Sequence, residues 1–150
     1  MTNNGRRNAS GPFRVSEAAS LGLHALAVIA AAPEPVSRTR EIAARLRASA
    51  AHLAKVMVAL ERAGLVTGTR GPAGGYRLTR PASRISLREI YEAVEGPIQV
   101  RACLFDEPVC KTRGCVLSSY FGRLNRDVVR TLQRTRLTDL MREFGGKNGK

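Results

Sequence analysis

Three cysteines, the only ones in the chain, fall within thirteen residues: Cys103, Cys110 and Cys115, spaced Cys-x6-Cys-x4-Cys. Free cysteines usually scatter among apolar core positions. These stand instead among Asp106, Glu107, Pro108, Lys111, Arg113 and Gly114. Three thiolates suit a soft centre, either zinc or an iron–sulfur cluster. Structural zinc usually takes short paired Cys-x2-4-Cys spacings and four protein ligands. The wider gaps here fit a cluster better, because its irons are spread out. Arg101, Lys111 and Arg113 favour the deprotonated thiols that any such metal needs. A fourth ligand must come from elsewhere, and His24, Glu17, Asp106 and Glu107 are candidates. An odd number of cysteines argues against a closed disulfide framework and for a reduced, cytoplasmic setting.

The charge balance points to the partner. Twenty-five Lys and Arg against 12 Asp and Glu leave +13. That excess favours a polyanion, nucleic acid first. An anionic membrane is the rival, but no helix sets a basic face against a bulky apolar one. Arg6-Arg7 followed by Leu21–Ala32 imitates a twin-arginine signal. The two are separated by thirteen residues that include Arg14 and Glu17, and His24 interrupts the run. No stretch reaches the roughly 18 apolar residues of a membrane span. Neither a membrane nor a small-molecule substrate is expected as a partner. There is no Walker loop, Gly-x-Ser-x-Gly elbow or His-Glu-x-x-His pair, so the chain is not expected to be an enzyme.

The elements that must position these residues are mostly helical. Ser16 caps a helix running to about Ala32, with Leu21, Ala25, Val28 and Ile29 at helical spacing and Pro33 and Pro35 ending it. Thr39 is a good N-cap for a helix over Arg40–Arg47. After a tight turn at Ala48-Ser49, Ser49 caps a second helix over about Ala50–Ala63. Its stripe is Leu53, Val56, Met57 and Leu60, and Gly64 supplies the left-handed stop. Two short helices joined by a few residues form a helix-turn-helix pattern. Leu65–Thr69 and Tyr76–Thr79 read as strands around a Gly-rich turn, which makes a wing. Ser86-x-x-Glu89 is a capping box opening a helix with Leu87, Ile90, Tyr91 and Val94 on one face. From about Val116 to Thr135, Leu117, Tyr120, Phe121, Leu124, Val128 and Leu132 mark a long helix whose stripe a second copy would cover. Leu137, Leu140, Met141 and Phe144 suggest a terminal helix packing back.

The expected fold is therefore mainly α with a small β-hairpin wing: a winged helix-turn-helix plus a long dimerisation helix. Its parts are a disordered tail (1–12), the winged domain (13–97), the cysteine segment (98–116), the dimerisation and terminal helices (117–144) and a second tail (145–150). Candidate DNA-contacting residues are Thr39, Ser49, Ala51, His52 and Lys55 on the helix-turn-helix, and Arg70, Gly71, Gly74, Gly75 and Arg77 on the wing. The amino-terminal end of a reading helix meets base edges and phosphates, and glycines admit close backbone approach.

The run Ser49-Ala-Ala-His-Leu-Ala-Lys-Val-Met57, then Leu60-Glu-Arg-Ala-Gly-Leu-Val66 and Arg70-Gly-Pro-Ala-Gly-Gly-Tyr76, resembles the BadM/Rrf-two family of winged-helix repressors and activators. The resemblance extends from Phe13 to about Phe144, and the Arg-Gly-Pro-x-Gly-Gly-Tyr wing is its most specific piece. The downstream cysteines make the chain similar to the cluster-sensing members. That likeness implies a homodimer with crossing long helices, and an arginine, Arg70, in the minor groove. It also implies a 2Fe–2S or 4Fe–4S cluster whose state changes affinity for a palindromic operator on double-stranded DNA. The chain departs from the family in two ways. Its cysteine gaps are six and four rather than even. The positions that supply a fourth ligand in two types of member are Ser118 and Ser20 here. Serine is a poor iron ligand, and His24, one turn beyond Ser20, is favoured, contributed by the second copy. A thiol-only or zinc switch on the same fold is the alternative, followed by a metal-stabilised RNA-binding or scaffold protein.

Overall fold

A computed structural model describes residues 15–34, 36–100, 103, 110 and 114–145. The expected tails at 1–12 and 146–150, and most of the cysteine segment, lie outside the described residues. Helix α1 (Glu17–Ala31) is the axis of the fold. Ser16 caps it, its hydroxyl accepting from the Ala19 N–H at 3.0 Å. Ala19, Leu21 and the run Ala25–Ile29 are buried, because four of the other helices pack against this one. Gly22 sits where a Cβ would come within 3.0 Å of Val94, so the absence of a side chain lets the helix that carries Val94 approach α1.

Helices α2 (Thr39–Leu46) and α3 (Ala50–Arg62) form the helix-turn-helix. Thr39 is not the cap of α2. Arg38 holds that position with extended backbone, and the Glu41 carboxylate three residues on accepts its N–H at 3.3 Å. Thr39 thus becomes the first helical residue. At the turn, Arg47 adopts a left-handed φ of 52°, a conformation that costs a non-glycine residue about 1 kcal/mol. The Ala48 N–H then closes on the Ala43 carbonyl at 2.9 Å. Ser49 caps α3 by accepting from the His52 N–H at 3.4 Å, and Gly64 ends the turn at φ 71°.

Strands β1 (Val66–Thr69) and β2 (Gly75–Leu78) pair antiparallel, Val66 opposite Leu78 and Thr69 opposite Gly75. The segment before α2 joins them. Ser37 and Tyr76 exchange backbone hydrogen bonds of 2.9 and 2.8 Å, which gives the wing a third, one-residue rung. A short 3-10 turn (Ala82–Arg84) leads to α4 (Leu87–Glu95), where the expected capping box forms. The Glu89 carboxylate accepts the Ser86 N–H and hydroxyl, each at 2.8 Å.

Helix α5 (Val116–Arg134) buries Gly122 and Asn125, whereas Leu117, Tyr120 and Leu124 are exposed. Helix α6 (Leu137–Gly145) returns the chain to α1 and extends one residue into the stretch expected as a tail. The return is clamped by backbone bonds between Leu87 N–H and Thr135 carbonyl (3.0 Å) and between Leu137 N–H and Ile85 carbonyl (2.9 Å). The core is aliphatic: Leu26, Ile42, Leu53, Met57, Leu60, Leu65, Ile85, Ile90 and Leu137 are its large fully buried side chains. Among the described residues, no helix is long and apolar enough to cross a membrane. The architecture is the expected one, helical with a two-stranded wing.

Candidate nucleic-acid interface

Burying Leu53, Val56, Met57 and Leu60 fixes which side of α3 faces out. Ala51, Ala54 and Lys55 lie on that outer side, all exposed. Ser49 spends its hydroxyl oxygen on the cap, which leaves its hydroxyl proton available to an acceptor such as phosphate. His52 is turned toward α1. Its Nδ1 stands 3.5 Å from the Glu17 carboxylate, an ion pair whenever the imidazole is protonated. Sequence reasoning placed His52 among the DNA contacts and missed this second attachment, because Glu17 is far away in the chain.

On the wing, Arg70 and Arg77 are exposed, and among the described residues neither has a carboxylate partner. The glycines between them have structural work of their own. A Cβ on Gly74 would sit 2.1 Å from the Thr69 carbonyl oxygen, so the tip can close only over glycine. A Cβ on Gly75 would meet the Ser37 oxygen and Val36 Cγ1 at 2.6 Å. The approach expected at these positions was to phosphate; within the fold, Gly74 makes room for wing backbone and Gly75 for the segment before α2. Gly71, with φ 104° and open space around it, is the glycine the turn itself demands. At the base, Glu61 Oε1 accepts the Gly68 N–H at 2.8 Å. Burial, and next to it the Glu61 charge, raise the Tyr76 phenol above its ordinary pKa.

Arg38 belongs beside these residues and was not expected there. Its Nη2 donates to the Pro72 carbonyl at 2.9 Å, and its Nη1 lies 3.8 Å from Glu41. The Arg38-x-x-Glu41 spacing could have revealed the cap, but nothing local could have revealed a contact 34 residues away.

The cysteine segment is seen at its ends. Cys103 and Cys115 are half-buried and Cys110 is exposed. Cys115 is the N-cap of α5. There the Ser118 N–H foremost lowers its thiol pKa below the usual range; burial opposes it, and the Leu117 N–H and Ser118 side chain add smaller lowering effects. Arg101, Lys111 and Arg113, expected to act on these thiols, lie outside the described residues. Three cysteine sulfurs, one of them stabilised as thiolate, are the right chemistry for an iron–sulfur or zinc centre. Among the described residues, no three His, Cys, Asp or Glu side chains stand close enough to hold a metal ion. His24 Nδ1 lies 2.7 Å from the Ser20 carbonyl and 3.4 Å from the Ser20 hydroxyl. A carbonyl only accepts, so Nδ1 is the donor in the contact with Ser20.

The chain was compared with known families and structures. The family model for Rrf2, described as an iron-dependent transcriptional regulator, matches residues 15–143. The HTH-type transcriptional regulator IscR of Cereibacter sphaeroides is 48% identical over 58 residues, which are 39% of this chain and 37% of that protein. The putative HTH-type transcriptional regulator BadM of Rhodopseudomonas palustris is 38% identical over 84 residues, 56% of this chain and 54% of that protein. The chain thus spans roughly half or less of the length of these two relatives. CymR (YrzC), the global cysteine regulator of B. subtilis, superposes with a TM-score of 0.74 at 26% identity, covering 87% of this chain and 98% of that one.

Proposed function

The chain belongs to the Rrf2 family of transcriptional regulators, and from that premise we propose that it is a homodimeric, cytoplasmic regulator that binds a palindromic operator on double-stranded DNA and senses redox state, nitric oxide or iron–sulfur status. The family is one of regulators and not of enzymes, so the chemistry that matters is binding. The observation that carries the DNA-binding part is the juxtaposition of an α3 whose amino-terminal edge is open with a wing that ends in an unneutralised Arg70, on a chain of charge +13. The open edge of α3, with Ser49, Ala51 and Lys55, would enter the major groove. Arg70 would reach the adjacent minor groove, whose narrow A·T-rich stretches concentrate negative potential. Two outward alanines, Ala51 and Ala54, leave few side chains to read bases, so DNA shape would carry much of the specificity.

For sensing, Cys103, Cys110 and Cys115 would hold an iron–sulfur cluster, with His24 of the partner subunit as fourth ligand. When bound, such a cluster supplies a centre open to oxygen and nitric oxide. The part this chain plays would be to keep thiolates available: the Cys115 thiol pKa is lowered, chiefly by the Ser118 amide. The exposed Leu117, Tyr120 and Leu124 would pair α5 with its counterpart in a second copy.

The lowered Cys115 thiol pKa also favours a second reading, the same DNA-binding fold with a thiol-only switch or bound zinc. Anaerobic purification separates the two. A brown protein with visible absorption and matching iron and sulfide supports the cluster. A colourless protein, whether metal-free or zinc-loaded, would sink it in favour of the second reading.

A further inference from the structure

The strands of the wing are tied to the body of the protein by main chain, through the Ser37–Tyr76 pair, and by Glu61 on Gly68. The tip is held differently. A cleft of about 350 Å³, lined by Glu34, Val36, Arg38, Glu41, Ala73 and Gly74, separates it from the start of α2. Across that cleft reaches the Arg38 guanidinium, bonded to the Pro72 carbonyl at 2.9 Å. Glu41 orients the arginine at both ends, through the Arg38 N–H at 3.3 Å and through the guanidinium at 3.8 Å. Arg38 itself is the residue from which α2 starts, and α2 packs rigidly on α3 through Ile42 and Ala43. Pro72 is two residues from Arg70.

We infer that Arg38 is a positioning residue. It strings the wing tip to the helix-turn-helix at a set separation, so that Arg70 and the open edge of α3 meet one duplex together. This role rests on the DNA-binding reading above. The planar fork of arginine suits it, engaging a carbonyl with one nitrogen while another faces a carboxylate. A lysine keeps the charge but offers only a single point of attachment. An exposed hydrogen bond of this kind has a modest effect, roughly fivefold in affinity.

The test has two arms, both on the full chain. In the first, hydrogen exchange of the free protein compares wild type with Arg38→Ala. Faster exchange of the Gly74 amide, which donates to the Gly71 carbonyl at 2.9 Å, with α3 unchanged, is expected. Unchanged exchange at the tip, or acceleration throughout α2 and α3, overturns the inference. The second arm uses a duplex that the wild-type chain enriches from a random-sequence library. Affinities are measured for wild type, Arg38→Ala, Arg38→Lys, Arg70→Ala and the Arg38→Ala/Arg70→Ala pair. Arg38→Ala should weaken binding about fivefold in the wild-type background but less than about twofold beside Arg70→Ala, since a residue acting through Arg70 adds nothing once Arg70 is gone. Arg38→Lys should resemble Arg38→Ala. Additive losses, or full rescue by lysine, would mean that Arg38 touches phosphate itself and would overturn the role. A wild-type chain that enriches no duplex removes the DNA-binding reading and this role with it. Failure of coupling with wild-type binding intact removes only the role of Arg38.

Discussion

Gly74 and Arg70 stand four residues apart on the wing and serve it in different ways. Arg70 brings charge to the tip, while Gly74 allows the tip to close. Arg70→Ala should weaken operator binding by roughly 1–3 kcal/mol and flatten its dependence on salt, because one fewer cation is exchanged for counterions. Gly74→Ala removes no charge, yet its Cβ would lie 2.1 Å from the Thr69 carbonyl oxygen and must displace backbone. It should weaken binding comparably while leaving the salt slope at the wild-type value. Titrations of both variants at several salt concentrations would show this, and a Gly74→Ala chain that binds like wild type would mean the shape of the wing is irrelevant to recognition. At this scale much was legible. The Arg-Gly-Pro-x-Gly-Gly-Tyr run reads as a turn because glycine and proline constrain the backbone locally. What could not be read was any attachment between distant segments: Arg38 to Pro72, His52 to Glu17, Gly75 against Ser37. Thr39 was misplaced as a cap for a related reason. Its own preference for capping is real, but Glu41 secures the N–H of the residue before it.

Elements were easier to read than contacts, because capping and periodicity are local. The start of α4 is the clearest case. Burial pushes the Glu89 carboxyl up, but hydrogen bonds from the Ser86 N–H and hydroxyl and the charges of Arg80 and Arg136 outweigh it, so its pKa in the fold lies below the ordinary carboxylate range. A depressed pKa stabilises the fold above the unfolded value, about 4.3 for a glutamate, and that contribution disappears as the pH falls through the lower folded value. Glu89→Gln should therefore destabilise the fold at neutral pH, by about 1 kcal/mol or less for so exposed a carboxylate, and progressively less as the pH falls below the ordinary glutamate value. Thermal unfolding across that range checks it, and a constant difference between the two proteins at all pH values would remove Glu89 from the acid transition. Helix α5 shows where periodicity falls short. Its apolar positions were read as one stripe. The structure divides them: Phe121, Val128 and Leu132 are half-buried, near the buried Gly122 and Asn125, and Leu117, Tyr120 and Leu124 face outward. A period of 3.6 reveals an apolar side but not which part of it the same chain covers. Leu124→Glu should accordingly halve the molecular mass seen by analytical ultracentrifugation and leave the helical content unchanged. A variant that sediments like wild type would place the self-association surface elsewhere.

In the whole molecule, the cysteine segment lies between the two parts it would have to coordinate. Before it, α4 packs on α1 and on α3, the helix whose open edge is proposed to meet DNA. After it, α5 exposes Leu117, Tyr120 and Leu124, the face proposed above to pair with a second copy. The approach to the segment is anchored on both sides. The Ile98 N–H donates to Glu92 Oε1 at 3.0 Å, Arg88 Nε donates to the same oxygen at 3.0 Å, and Arg88 Nη1 reaches Gln133 on α5 at 3.3 Å. Under the proposed function, a change in what the three cysteines hold would be delivered to α4 and α5 together, and through them to the spacing of two reading heads, which is the quantity a palindrome measures. A difference of about 1–3 kcal/mol in operator affinity between two such states is enough for a switch. The proposal makes a joint demand on Cys103, Cys110 and Cys115. Replacing any one by alanine should abolish the visible absorption of the anaerobically purified protein, leave sedimentation as a dimer intact, and make operator affinity indifferent to oxidant. His24→Ala, which spares all three thiols, should bleach faster in air rather than lose its colour outright. Absorption, sedimentation and binding isotherms measured with and without oxidant on the same preparations decide it. Cysteine variants that keep the wild-type spectrum, or that still respond to oxidant as wild type does, would locate the sensor outside these three residues.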